Sequence, residues 1–142
     1  MSEYGFSAKM KSYLLRAAAI VAALFGALTI RSGGAVLFGA PEAVQAAGNA
    51  VAFVLWFNFL AGFAYIAAAI GLWRGSRWGA WMAIAIAAAT ALVFAALGVH
   101  AALGGPFEMR TVWAMTLRTV VWTGIAVLAC FAVGCAAPAR ER

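Results

Sequence analysis

The sequence predicts an all-α integral membrane protein, a bundle of four transmembrane helices that makes a single membrane domain of residues 1–142. Of the 142 residues, 67% are apolar and 10% are charged, whereas a soluble domain averages about 45–50% apolar and about 25% charged residues. Helix is the expected conformation, because unpaired backbone groups are costly in lipid and the continuous Ala-rich runs lack the alternation of a membrane barrel. Four stretches are long and apolar enough to span a bilayer: Tyr13–Ile30, Ala50–Trp73, Trp78–Leu103 and Thr111–Ala137.

The first span has two interpretations. A basic segment, Lys9–Arg16, precedes the apolar run Ala17–Ile30. A basic start before a short apolar run is also typical of a secretory signal peptide, and Ala35 and Ala40 lie where cleavage would occur. The region that precedes the apolar run is long for a signal, and Arg31 directly follows the run. We therefore favour a retained span, with cleavage as the alternative.

The longest connection, Arg31–Asn49, joins the first two spans. It contains Gly33-Gly34, the apolar run Ala35–Ala40 and then Pro41. Proline is favoured at the first position of a helix, where its missing N–H costs nothing. The sequence therefore predicts a short helix over Pro41–Ala47 that lies on the outer surface, with a re-entrant loop as the alternative.

The cations are divided unequally between the two ends of the predicted bundle. Arg31 and Arg110 flank the spans at one end, and Arg118 lies within the fourth span. Short loops rich in Lys and Arg stay in the cytoplasm, so we expect a bacterial-type inner-membrane protein with both termini cytoplasmic. Because the cations form no dense patch, the net charge of +6 predicts contact with anionic headgroups of the lipid bilayer and not with nucleic acid. The opposite end holds seven cations: Lys9, Lys11, Arg16, Arg74, Arg77, Arg140 and Arg142.

Five polar residues fall in the outer half of this topology: Asn58, His100, Glu108, Arg110 and Arg118. Charged groups within a membrane are costly and face the bundle interior, a partner or water. One interpretation is a hydrogen-bonded clasp that holds the outer ends of the second, third and fourth spans. The other is a ligand-binding pocket open to the outside, in which Arg118 or Arg110 attracts an anion, Asn58 forms a hydrogen bond, and His100 or Glu108 exchanges protons. Arg118 could also extend outward to the headgroups.

Motifs of catalysis and of cofactor binding are absent from the sequence. One histidine cannot supply a two-histidine haem site, and no CxxC, HExxH, GxSxG or phosphate-loop pattern occurs. His100 with Met109 or Met115 would suit copper chemically, but the spacing matches no established metal signature. We therefore expect no cofactor, no metal and no enzymatic activity.

The two cysteines, Cys130 and Cys135, both fall within the predicted fourth span. Five steps along a helix place two side chains about 140° apart around its axis. Side chains that point so far apart cannot form the short link that a disulfide needs. The sequence therefore predicts no disulfide and no shared metal site.

Small residues at four-residue spacing let membrane helices approach closely. Such rows either pack the bundle internally or dock against another membrane protein or a second copy of the chain. With no soluble domain and no catalytic motif, the sequence favours an accessory, assembly or interaction subunit of a larger membrane complex. The alternative is a protein or transporter subunit that binds an unidentified small ligand or ion through the outer polar cluster. The rows are Ala18, Ala22 and Gly26; Gly79, Ala83, Ala87, Ala91 and Ala95; and Ala126, Cys130 and Gly134.

Overall fold

The computed structural model describes residues 2–135, which form five α-helices and no strand. Four of the helices are long and apolar enough to cross a membrane. The predicted fold class is confirmed: this part of the chain is a four-helix membrane bundle with one short additional helix. The helices are α1 (Ser2–Leu37), α2 (Pro41–Ala47), α3 (Ala52–Trp73), α4 (Arg77–Ala102) and α5 (Met109–Val133).

The four long helices pack around a common apolar core. α1 packs along α3, α3 along α4, and α4 along α5, while a smaller contact between α1 and α5 closes the ring. The short helix α2 lies against α1. We call the end that contains α2 and the α4–α5 loop the α2 end. The other end, with the first turns of α1 and the α3–α4 turn, is called the basic end.

α1 extends beyond the predicted span, which ended at Ile30. The helix continues through Gly33-Gly34 to Leu37, although glycine disfavours a helix by about 1 kcal/mol relative to alanine. Both glycines lie against α3, and a Cβ atom added to Gly33 would be 3.2 Å from the Cβ atom of Phe59. Close packing of α1 on α3 therefore keeps the segment helical, and the connection to α2 is shorter than predicted.

α2 spans Pro41–Ala47, as the sequence predicts. The residue before it, Ala40, has an extended backbone, and proline occupies the first turn. The helix ends at Gly48, whose φ of 55° is costly for residues with a side chain. The extended residue before Pro41 and the glycine after Ala47 confine α2 to two turns.

α5 ends earlier than predicted, at Val133, because Gly134 adopts a left-handed conformation with φ 71°. The N–H of Cys135 then bonds to the carbonyl oxygen of Cys130, which brings the two Cα atoms to 4.8 Å, and the cysteines form a disulfide. The prediction of no disulfide is therefore wrong. A separation of about 140° holds only if both residues continue one helix, and Cys135 lies beyond the helix end. The predicted span end at Ala137, and the cations Arg140 and Arg142, lie outside the described residues.

Pairs of glycines set the closest helix approaches. A Cβ atom added to Gly79 of α4 would lie 2.5 Å from the carbonyl carbon of Gly71 in α3, and one added to Gly26 of α1 would lie 2.8 Å from the carbonyl oxygen of Gly62. Between these crossings Trp122 is fully buried, with its ring 4.6 Å from that of Tyr65. The small residues of the predicted rows in α1 and at the start of α4 therefore pack inside the bundle.

Candidate functional site

A cavity of about 370 Å³ lies at the α2 end, between α1, α2, α3 and α5. This volume is within the range of about 300–1,000 Å³ that is usual for small-molecule sites. We call it the α2-end cavity. Thr29, Asn58 and Arg118 line it deepest in the bundle, well inside α1, α3 and α5 respectively, whereas Glu108 and Arg110 line it at the start of α5.

The two rim residues hold the neighbouring chain in place. A carboxylate oxygen of Glu108 accepts a hydrogen bond of 2.9 Å from the backbone N–H of Asn49. Arg110 donates from Nη1 to the carbonyl oxygen of Ala46, at 3.0 Å. Both bonds link the start of α5 to the end of α2 and the segment after it. Glu108 and Arg110 therefore form a clasp between the start of α5 and α2 with the segment after it. The clasp that the sequence suggested would instead have joined the outer ends of the second, third and fourth spans.

Arg118 points into the bundle toward α1. Its Nη2 donates to the hydroxyl of Thr29 at 3.4 Å, which is a long and weak hydrogen bond. Its Nε is buried and has no hydrogen-bond partner within residues 2–135. Arg118 and Thr29 also line a smaller crevice of about 290 Å³ between α1 and α5. The guanidinium is therefore only partly satisfied by the protein.

Asn58 lines the same cavity from α3. Its Oδ1 is buried, and the described part of the chain supplies no donor to it. A buried polar atom without a partner costs about 1–3 kcal/mol, and native proteins keep such atoms rare. Asn58 and Arg118 thus both line the cavity, and each keeps one buried polar atom without a hydrogen-bond partner among residues 2–135.

His100 does not reach the cavity. Its Nε2 lies 3.0 Å from the carbonyl oxygen of Pro106, and its ring meets the edge of the Phe53 ring at 6.1 Å between centroids. A Cβ atom added to Gly105 would collide with the imidazole. His100 therefore stabilises the α4–α5 loop, and the structure separates it from the other four predicted residues.

Sequence reasoning missed the polar residues that continue the site. Thr29 is buried, and its hydroxyl accepts the hydrogen bond from Arg118. Deeper in the bundle, the indole N–H of Trp122 is buried without a hydrogen bond to residues 2–135. The buried hydroxyl of Tyr65 lies near the Thr90 hydroxyl and the Arg118 guanidinium. Single polar residues in Ala-rich spans are the available signal, but it does not reveal which of them converge.

The described residues offer no grouping of three His, Cys, Asp or Glu side chains that could hold a metal ion. In comparisons with known proteins, no protein-family model, curated protein or solved structure matches the chain.

Proposed function

We propose that this membrane protein binds a small anionic ligand in the α2-end cavity and does not transform it chemically. The observation that carries the proposal is that Arg118 and Asn58 line one cavity and that a buried polar atom of each, Nε and Oδ1 respectively, has no hydrogen-bond partner among residues 2–135. A guanidinium matches the planar oxygens of a carboxylate or phosphate. An amide oxygen accepts from a hydroxyl or N–H group. The ligand class is therefore a small carboxylate or phosphate that carries a neighbouring hydroxyl or N–H.

The charges around the cavity support an anion. Arg110 and Arg118 line it together with one carboxylate, that of Glu108. That carboxylate bonds to Asn49 at the rim, so the base of the cavity carries the positive charge of Arg118. An arginine within a membrane is costly unless a partner or water compensates it. A bound anion would supply that compensation in surroundings of low dielectric, where charge pairs interact strongly.

The orientation of the cavity follows from the proposed topology. The excess of cations at the basic end supports a cytoplasmic position for that end and for both termini, in a bacterial-type inner membrane. The α2-end cavity would then open away from the cytoplasm. Fusions of topology reporters to each terminus should report cytoplasmic locations for both. A reporter at the C-terminus that is active only outside the cytoplasm would contradict this orientation.

Calorimetric titration of the purified full chain tests the binding proposal. The probes are glycolate, acetate and inorganic phosphate. Glycolate and phosphate should bind with a Kd of about 1 mM or tighter, which corresponds to about 4 kcal/mol. Glycolate should bind more tightly than acetate, because only glycolate offers a hydroxyl to Asn58. An Asn58→Leu variant should lose that preference.

Three arginine variants separate the binding role from other effects. Arg118→Gln should weaken glycolate binding at least tenfold, since hydrogen bonds to charged groups contribute about 1.5–3 kcal/mol. Arg118→Lys should restore part of the affinity, because lysine keeps the charge but lacks the fork of donors. Arg31→Gln removes the same charge from an exposed position outside the cavity lining and should bind as wild type. Equal binding per folded molecule in wild type and Arg118→Gln, or no binding of glycolate and phosphate to wild type, would refute the proposal.

The accessory-subunit function stays a prediction. Of the small residues that suggested a docking surface, Ala18, Ala22 and Ala83 are buried within the bundle, whereas Ala91 and Ala95 of α4 are exposed. Purification in a mild detergent separates the two functions. A stable monomer without a co-purifying membrane protein would contradict an accessory subunit and would agree with an independent binding protein.

A further inference from the structure

A second cavity, of about 440 Å³, lies at the basic end between α1, the α3–α4 turn and the end of α5. Cations from two separate segments line it: Lys11 and Arg16 of α1, with Arg74 and Arg77 of the turn. Among residues 2–135, none that lines it is acidic. We call it the basic cavity. Its charge predicts an anionic occupant.

Aromatic rings position two of these cations. The guanidinium carbon of Arg16 lies 5.5 Å from the centroid of the Trp73 ring, and Nζ of Lys11 lies 5.3 Å from that of Phe131. Both distances are within the range of cation–π attraction. Trp73 and Trp78 are exposed beside the turn, and tryptophan favours the headgroup level of a membrane. The basic cavity therefore lies where lipid headgroups lie.

An apolar groove of about 420 Å³ adjoins the basic cavity. It lies between α1 and α3 and shares Trp73 and Arg74 with the cavity. From these shared residues the groove leads away from the basic end, toward the middle of both helices. Its remaining lining is aliphatic: Ala19, Ile20, Ala23, Ile66, Ala69 and Ile70. A cationic cavity that continues into an aliphatic groove has the two parts of an anionic phospholipid site.

We propose that the basic cavity binds the phosphodiester of one anionic glycerophospholipid and that the adjoining groove holds one of its acyl chains. Lys11, Arg16 and Arg74 supply the charge that the argument uses. Basic pockets between transmembrane helices are suited to such headgroups, and each cation near the membrane surface contributes about 1 kcal/mol. A free phosphate would use the cations but not the groove. The proposal therefore commits to a lipid, and it is independent of the ligand proposed for the α2-end cavity.

Native mass spectrometry of the full chain in detergent tests this site with three probes. They are phosphatidylglycerol, phosphatidylcholine with the same acyl chains, and glycerol 3-phosphate. One phosphatidylglycerol molecule should bind at least tenfold more tightly than phosphatidylcholine, and glycerol 3-phosphate should bind much more weakly than the lipid. Arg16→Gln/Arg74→Gln should lower phosphatidylglycerol affinity about 25-fold, because about 1 kcal/mol per cation corresponds to about fivefold each. Arg31→Gln, which alters an exposed cation near the other end, should leave it unchanged.

Circular dichroism first establishes that each variant is folded. If the double variant does not fold, Lys11→Gln takes its place, with an expected loss of about fivefold. Equal affinities for phosphatidylglycerol and phosphatidylcholine would overturn the proposal. Wild-type affinity in the folded charge variant would also overturn it. Binding of glycerol 3-phosphate as tight as that of the lipid would identify a free-phosphate site and would overturn the lipid assignment.

Discussion

Replacing Gly79 with alanine should destabilise the bundle, because the added methyl group would enter the backbone of α3. It would lie 2.5 Å from the carbonyl carbon of Gly71 and 2.7 Å from the backbone nitrogen of Leu72. An ordinary van der Waals contact begins at 3.4 Å. The two helices would have to separate by almost 1 Å at their closest approach, since backbone atoms cannot rotate away as a side chain can.

The expected cost follows from this overlap. Overpacking of a tight interior costs about 1–3 kcal/mol, and a collision with backbone atoms belongs at the upper end of that range. Alanine favours a helix over glycine by up to about 1 kcal/mol, which offsets part of the loss. The net loss in free energy of unfolding should therefore be about 1–2 kcal/mol.

Gly124→Ala is the matched control, because a Cβ atom added to Gly124 in the middle of α5 would meet nothing within 4 Å. This variant should be as stable as wild type or slightly more stable. Unfolding by SDS, followed by circular dichroism in mixed micelles, measures both free energies. If Gly79→Ala were as stable as Gly124→Ala, the close α3–α4 crossing would be refuted.

Two further predictions concern the ends of the bundle. Glu108→Ala should lower the free energy of unfolding by about 1 kcal/mol, because the N–H of Asn49 loses its acceptor. An unchanged free energy of unfolding in the same SDS assay would show that this clasp does not stabilise the protein. Cys130 and Cys135 are placed to form the disulfide of the structure, but the reducing cytoplasm proposed for the basic end should keep both thiols reduced in intact cells until lysis in air. Trapping with an alkylating reagent before lysis measures this, and an oxidised pair in cells would contradict the proposed orientation.

The composition was sufficient to predict the fold class, and Pro41 was sufficient to predict α2. The four apolar runs report membrane spans because a lipid environment leaves helix as the main way to satisfy the backbone. Pro41 marks a helix start because its fixed φ and missing N–H suit that position. Both signals are local to the sequence, so they could be found without knowing which helices pack against each other.

Helix ends that depend on tertiary packing or on a single φ value could not be predicted. The pair Gly33-Gly34 is typical of a loop in the sequence, but in the structure Phe59 packs against it and the segment is helical. The left-handed Gly134 ends α5 and places Cys135 beside Cys130, whereas a continuous apolar run suggests that the helix goes on. In both cases the glycine is visible in the sequence, but its conformation is not.

The candidate site was predictable in depth but not in direction. The predicted span bounds placed Asn58 and Arg118 at similar depth in the membrane, and in the structure both residues line one cavity. His100 was placed near the outer end of its span, and the structure has it bond to the α4–α5 loop and not line the cavity. Thr29 could not be chosen over other hydroxyls, because its role depends on the contact between α1 and α5. The depth of a residue in the membrane follows from counting residues along its helix. The direction in which its side chain points depends on how the helices of the bundle pack.

Labelling of Arg118 by phenylglyoxal tests the central claim most directly, because this reagent modifies arginines that water and small anions can reach. Peptide mass spectrometry measures the rate at Arg118 with and without glycolate or phosphate, and exposed Arg31 in the same sample is the internal reference. Binding of an anion in the α2-end cavity predicts that Arg118 is labelled and that either anion slows its labelling much more than that of Arg31. Failure to label Arg118, or labelling that neither anion slows, would contradict the account and would leave Arg118 as a structural residue.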